Sequence, residues 1–223
     1  MKKIIYLKLA AVFAAMLAFT FAASAHYVWI EDVGKKVVVR FAEWPDEWEK
    51  SPGYLDDLSV PSAWTAGTNG EPKTFEIKKK AEYYQIVGAS SKEVITAETG
   101  FEVLSATNKP SRKPLFYARW QPAGAGAGKP ELNFDIVPTA NAGEYQVFFR
   151  AEPVPNVDVT AHFPDGKEKE LKADEKGIVK FTGDKPGLYM LSCKYQRETI
   201  KGFSDGRAYD QLSHNCSITW RQK

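Results

Sequence analysis

Ser213-His-Asn-Cys-Ser-Ile-Thr-Trp220 is the stretch that decides how this chain folds. Read with a period of two, it puts His214, Cys216, Ile218 and Trp220 on one face and Asn215, Ser217, Thr219 and Arg221 on the other. The first set is apolar at its far end, so it should face a core, with His214 at the rim. Other runs of the second half share this character: Leu132–Val137, Glu144–Arg150, Val157–Phe163, Gly177–Phe181 and Gly187–Tyr195. Pro164-Asp-Gly166 turns the third of them back into Glu168–Leu171. About seven strands at regular spacing predict an immunoglobulin-like or transthyretin-like sandwich over 131–223.

The first half reads the same way. His26-Tyr-Val-Trp-Ile30 and Lys36–Phe41 predict a hairpin turned at Asp32–Lys35, followed by a short helical turn at Tyr54–Leu58 and further strands near 74–78, 83–87, 94–97 and 115–120. Gln121-Pro-Ala-Gly-Ala-Gly-Ala-Gly-Lys-Pro130 has nothing to bury and predicts a flexible linker. The expected architecture is therefore all-β, with two β-sandwich-like units: an N-terminal β domain over 26–120, a Gly/Ala-rich linker over 121–130 and a C-terminal sandwich over 131–223.

Residues 1–25 read differently. Lys2, Lys3 and Lys8 precede an apolar run from Leu9 to Ala22, which closes on Ala23-Ser24-Ala25. That is the build of a secretory signal peptide, so the mature protein is expected to begin at His26 in the periplasm or outside the cell. The whole chain has 30 basic and 28 acidic residues, and losing three lysines leaves the mature chain close to neutral. No basic field invites nucleic acid or an anionic membrane, and no other stretch is long and apolar enough for membrane insertion.

A mature amino-terminal histidine is chemically distinctive. Its α-amine and its imidazole Nδ1 close one chelate ring on a metal, and both give up protons near neutral pH. Protons compete for the same nitrogens, so binding should weaken as pH falls. Equally, the residue could simply be solvated or packed. His214 carries the same two readings, a satisfied core-edge histidine or a metal ligand. His162 reads as a surface or edge histidine. Glu43-Trp-Pro-Asp-Glu-Trp-Glu49 is either a mouth that attracts cations or stacks a sugar, or an irregular turn whose Trp44 and Trp48 plug the end of the core, and the second is favoured. Cys193 and Cys216 fall on neighbouring strands, where an oxidising compartment favours a disulfide; the competing reading makes Cys216 a thiolate ligand beside His214. No residue pattern suggests a nucleophile with its base.

Two resemblances extend this reading. Pro155-Asn-Val-Asp-Val-Thr through Asp165-Gly, Gly177 and Phe181 to Gly187-Leu-Tyr189 resembles the regulatory β-domains found beside carboxypeptidases, which are scaffolds without chemistry of their own. Across most of residues 26–223 the chain resembles a periplasmic bacterial family of unknown function grouped with nickel-uptake (NikM-like) proteins. The residues that carry it are His26-Tyr-Val-Trp-Ile, the acidic Glu43 and Asp46-Glu47, Gly100-Phe-Glu-Val-Leu104 before Leu115-Phe-Tyr-Ala, and Tyr209-Asp210 with His214. The resemblance implies divalent-metal handling, with His26 the first site residue and His214 the second, in an arrangement similar to a histidine brace. Three nitrogens suit Ni(II) or Cu(II). A mature chain with only Met190 lacks the Met-rich tract common in Cu(I) carriers. The leading expectation is a non-catalytic metal-binding protein for uptake or homeostasis, with a membrane metal transporter as candidate partner. The alternatives are a copper oxygenase built on the brace and a metal-free β-sandwich binding or scaffold protein.

Overall fold

The computed structural model describes residues 26–67 and 71–223, apart from the side chains of Tyr195 and Gln196. The signal-peptide reading of 1–25 lies outside the described residues. The fold is all-β, and the 3-10 turn Tyr54–Asp57 is the one helical element among the described residues. No helix there is long and apolar enough to cross a membrane.

Three sheets stack as layers. The middle one has nine strands and runs through both halves of the chain, in the order Glu168–Lys172, Asp158–His162, Gly187–Glu198, Gln211–Gln222, Lys109–Trp120, Ile95–Gly100, Ser62–Ala66 and Pro72–Thr74, with Leu104–Ala106 paired to Lys109–Trp120. One outer sheet holds Tyr27–Val33, Lys36–Glu43, Tyr84–Ile86 and Ile77–Lys79, with Glu47–Trp48 beside the second of these. The other holds Phe134–Pro138, Glu144–Phe149, Glu152–Pro153 and Ile178–Lys180.

Each interface between layers is a hydrophobic core. Val28, Ile30, Val39 and Phe41 of the first outer sheet meet Phe116, Ala118 and Trp120 of the middle sheet. Phe134, Ile136 and Val147 of the other meet Tyr117, Leu191, Ile218 and Trp220. Lys109–Trp120 is therefore covered on both faces, as a strand in parallel pairing usually is. Its parallel partner is the closing strand, in the register Leu115↔His214, Tyr117↔Cys216 and Arg119↔Ile218.

That pairing changes the expected domain picture. The two halves share their cores, Tyr117 of the first half packing in the second core and Met190 of the second half against Trp29 and Ala42, and one continuous sheet joins them, so the link between them includes a ladder of backbone hydrogen bonds. The Gly/Ala-rich segment is itself tied down: Gln121 N–H donates to Thr219 O at 2.9 Å and Gly128 N–H to Pro138 O at 3.1 Å.

The polar face of the closing strand is buried as well, because the first strand lies across it. Tyr27–Val33 is an edge strand paired on one side only, to Lys36–Glu43, which leaves carbonyls on its open side. Ser217 Oγ donates to Val28 O at 2.7 Å, Thr219 Oγ1 donates to Ile30 O, and Arg221 Nε donates to Asp32 Oδ1 at 2.7 Å. Donors at every second residue of one strand thus meet acceptors at every second residue of the other. This ladder fixes where His26, the residue just ahead of the first strand, must sit.

Candidate metal centre at His26

His26 is half-buried at the end of that ladder. Its ring lies 5.0 Å from Phe41 and 5.1 Å, edge-on, from Tyr54. Its Nε2 and the Glu49 Oε1 carboxylate oxygen are 2.5 Å apart. Glu49 is set by its own backbone, whose N–H donates to Phe41 O at 3.1 Å. Tyr54 is set by the 3-10 turn, which buries Leu55 inward. The Asp56 carboxylate caps the turn by accepting from Gly53 N–H at 2.9 Å and Ser51 Oγ at 2.7 Å, and it pairs with Lys79. Those partners, Lys79 first, draw its carboxyl down to about 2.

With Nε2 engaged by Glu49, Nδ1 is the remaining ring nitrogen, and it takes no hydrogen bond among the described residues. A carboxylate on one imidazole nitrogen is the usual outer partner of a metal-bound histidine, since it fixes the ring and raises the basicity of the other nitrogen. Burial, then Asp57, Glu49 and Glu102 in turn, push the Tyr54 hydroxyl up, while Arg112 acts in the opposite sense. Glu49 is the carboxylate in contact with the His26 ring. Beneath His26 a narrow cleft opens, lined by Phe116, Ser192, Lys194, Asn215 and Ser217, with room for about one water molecule.

His214 is not part of this site. It lies on the opposite face of the middle sheet, stacked on Tyr117 at 5.8 Å and edge-on to Phe149 at 5.1 Å. Both ring nitrogens are engaged: Nδ1 with the Tyr117 hydroxyl at 3.0 Å and Nε2 with Glu198 Oε2 at 3.0 Å. Burial pulls its pKa down, against Glu198, which raises it. The expected brace of His26 with His214 is thus corrected. Period two rightly put His214 on the core-facing side of its strand, but the first strand crosses the other side. His214→Ala should leave metal binding at His26 unchanged in calorimetry while costing about 2–3 kcal/mol in urea unfolding, because Tyr117 and Glu198 lose a buried partner. Lost metal binding in a folded variant would restore the brace.

Cys193 and Cys216 stand directly opposite each other on antiparallel strands, both buried. They are free thiols here rather than the expected disulfide, and Cys193 Sγ donates to Asp158 O at 3.3 Å. Directly opposed positions hold their Cβ atoms about 4.5–5.5 Å apart, wider than the roughly 3.5–4.5 Å that a disulfide spans. Cys216 points into the second core, away from His26, and burial raises its thiol pKa well above the usual value. A thiolate ligand role has no geometry to support it.

His162 is a further correction, being wholly buried rather than at a surface or edge. Its Nε2 lies 2.8 Å from Ser192 Oγ. Its Nδ1 is 3.0 Å from Glu168 Oε1, yet the two are not aligned for a hydrogen bond. Tyr27 and Trp44 close over the ring at 4.7 and 5.8 Å. Serine, histidine and carboxylate in this order are the elements of an activated nucleophile, a juxtaposition that residues 30 apart on separate strands gave no sign of. Ser192 and His162 are sealed between layers, however, so the set acts as a polar clasp rather than a reactive centre. Trp44, whose Nε1 donates to Phe163 O at 2.8 Å, is the core plug expected of it; Trp48 is not, lying exposed with the Arg40 guanidinium over its ring, and Glu49 from the same segment serves His26.

Among the described residues no group of three or more His, Cys, Asp and Glu side chains is gathered for a metal. The α-amine that processing would free is not such a side chain. Neither a protein-family model nor a curated protein matches the chain.

Proposed function

We propose that the chain, once processed at His26, is a periplasmic protein that binds a divalent transition metal, nickel or copper, for uptake or homeostasis. The ligands are the α-amine and Nδ1 of His26. The observation that carries this reading is the Nε2 contact to Glu49: it orients the ring, leaves Nδ1 for the metal and supplies the outer carboxylate such sites use. The Glu49 carboxylate beside the ring also favours a cation at the same place. Amine and imidazole nitrogens suit Ni(II) and Cu(II), with copper the stronger by affinity order. A membrane metal transporter is the partner class such a role needs.

The test is calorimetric titration of Cu(II) and Ni(II) into protein that begins at His26, beside protein with one extra residue ahead of it. Tight binding of the first, weakened by about a hundredfold or more in the second, is expected, because extension converts the amine into an amide and removes one of two chelating nitrogens. Equal or absent binding in both overturns the reading.

A further inference from the structure

The chelate at His26 supplies two nitrogens, and the middle sheet keeps His214 from supplying a third. A tetragonal ion held there has equatorial positions left over, and the ladder between the closing strand and the first strand indicates what fills one of them. Ser217 donates to Val28 O, Thr219 to Ile30 O and Arg221 to Asp32 O, a step of two residues on each strand. One step back, the same register puts Asn215 at the backbone of His26, where the α-amine is, rather than at the Nε2 tip held by Glu49. Asn215 and His26 accordingly line the same narrow cleft. A space that holds about one water keeps its walls within contact of a single atom.

Asn215 departs from the ladder in what its amide does. Instead of donating to the first strand, Nδ2 donates to Leu115 O at 3.2 Å and to Ser213 O at 3.4 Å. Both partners are carbonyls, so only the nitrogen end can face them, and the orientation of the amide is fixed. Oδ1 is left over, with no hydrogen bond among the described residues, on a side chain that is only partly buried. The other polar side chains of the cleft are engaged. Ser217 donates to Val28 O, Ser192 is bonded to His162 at 2.8 Å, and Lys194, opposite Asn215 in the antiparallel register, holds its ammonium over the Tyr27 ring at 4.7 Å. An acceptor held in place with no donor to meet it, on the wall facing two metal-binding nitrogens, suits a cation that takes nitrogen and oxygen together.

We propose that the carboxamide oxygen of Asn215 is the third ligand of the metal at His26, completing a set of two nitrogens and one oxygen with the α-amine and Nδ1. The inference rests on the metal reading above and names the class of ion that the site accepts. Nitrogen and oxygen donors in a tetragonal arrangement suit Cu(II) and Ni(II), whereas Cu(I) prefers thiolate and thioether sulfur. The site therefore sorts copper by oxidation state, holding the divalent ion in preference to the cuprous one.

The test uses protein beginning at His26, grown with asparagine carrying carbon-13 in its side-chain carboxamide and loaded with Cu(II). Pulsed copper resonance of this wild type should show coupling to the labelled carbon, since Asn215 is the asparagine that lines the cleft. In calorimetry Asn215→Ala should weaken Cu(II) and Ni(II) by about tenfold or more, at least the scale of a lost outer partner, and should abolish the carbon coupling. Its Cu(I) affinity, measured by competition with a coloured chelator, should be unchanged. Near-ultraviolet circular dichroism checks that the variant is folded, and the wild-type spectrum decides the matter without it. Copper that loads wild type tightly with no carbon coupling, or that binds a folded Asn215→Ala equally well, overturns the third ligand and leaves the metal reading standing. Copper that does not load wild type overturns the metal reading, and the Asn215 ligand with it.

Discussion

Arg119→Met is expected to destabilise the protein by about 3–5 kcal/mol, the cost of leaving a buried carboxylate without its cation. Arg119 and Asp135 are 1% and 0% exposed and meet bidentately, Nε to Oδ1 at 3.0 Å and Nη2 to Oδ2 at 2.6 Å. Arg119 belongs to the strand that joins the two halves, and Asp135 to the first strand of the far outer sheet. The same carboxylate accepts from Glu131 N–H at 2.9 Å, and Arg119 Nη2 donates to Lys129 O at 3.0 Å. The pair therefore anchors the end of the Gly/Ala-rich segment as well as joining two layers. Asp135→Leu combined with Arg119→Met should recover most of the loss, since replacing both charges with apolar groups removes the desolvation cost on both sides. Urea unfolding of the single and double variants measures this. A single variant within about 1 kcal/mol of wild type would mean that the backbone donors alone satisfy Asp135.

The second large effect is acid sensitivity set by His162. Burial, with a smaller contribution from the Lys194 charge, lowers its pKa to about 3 in the folded protein, against about 6.5 for a free histidine. The groups around it are Glu168, whose carboxylate favours a charged ring, Lys194, which opposes it, and the neutral Ser192 and Tyr27. Because the folded pKa lies below the unfolded one, the unfolded chain binds a proton that the folded chain refuses. The histidine's contribution is complete above pH 6.5 and is lost as pH falls toward 3, a loss on the order of 5 kcal/mol across the window. His162→Leu should flatten the stability profile between pH 6 and 4 by up to one proton, read from urea midpoints at successive pH values. An unchanged slope would show that the Glu168 carboxylate offsets the burial.

Much of the fold was legible in local pattern. The hairpin from Tyr27 to Glu43, the helical turn at Tyr54 and the closing strand all lie where period-two alternation and turn residues put them. Such signals arise within a few residues of each other and need no knowledge of the rest of the chain. The site was legible in part for the same reason. His26 stands out through its place after Ala23-Ser24-Ala25, and Glu49 lies in an acidic segment that invited attention without naming its partner. Tyr54 gave no signal as a neighbour of His26, because the contact joins a 3-10 turn to a strand that begins some thirty residues earlier.

The all-β class, the strand that follows His26 and the two faces of the closing strand follow from local alternation, which backbone geometry dictates along any strand. Which layer covers which face is settled by the packing of the three sheets. Ser217 and Thr219 look like a solvent face until the open edge of the first strand presents its carbonyls to them. That crossing separates His26 from His214 by a full sheet, pairs Lys109–Trp120 in parallel with a strand about a hundred residues away, and brings His26 beside Tyr54. Pairing between distant strands is chosen by the total burial and hydrogen bonding of the assembled layers, a quantity that no single stretch of the chain contains.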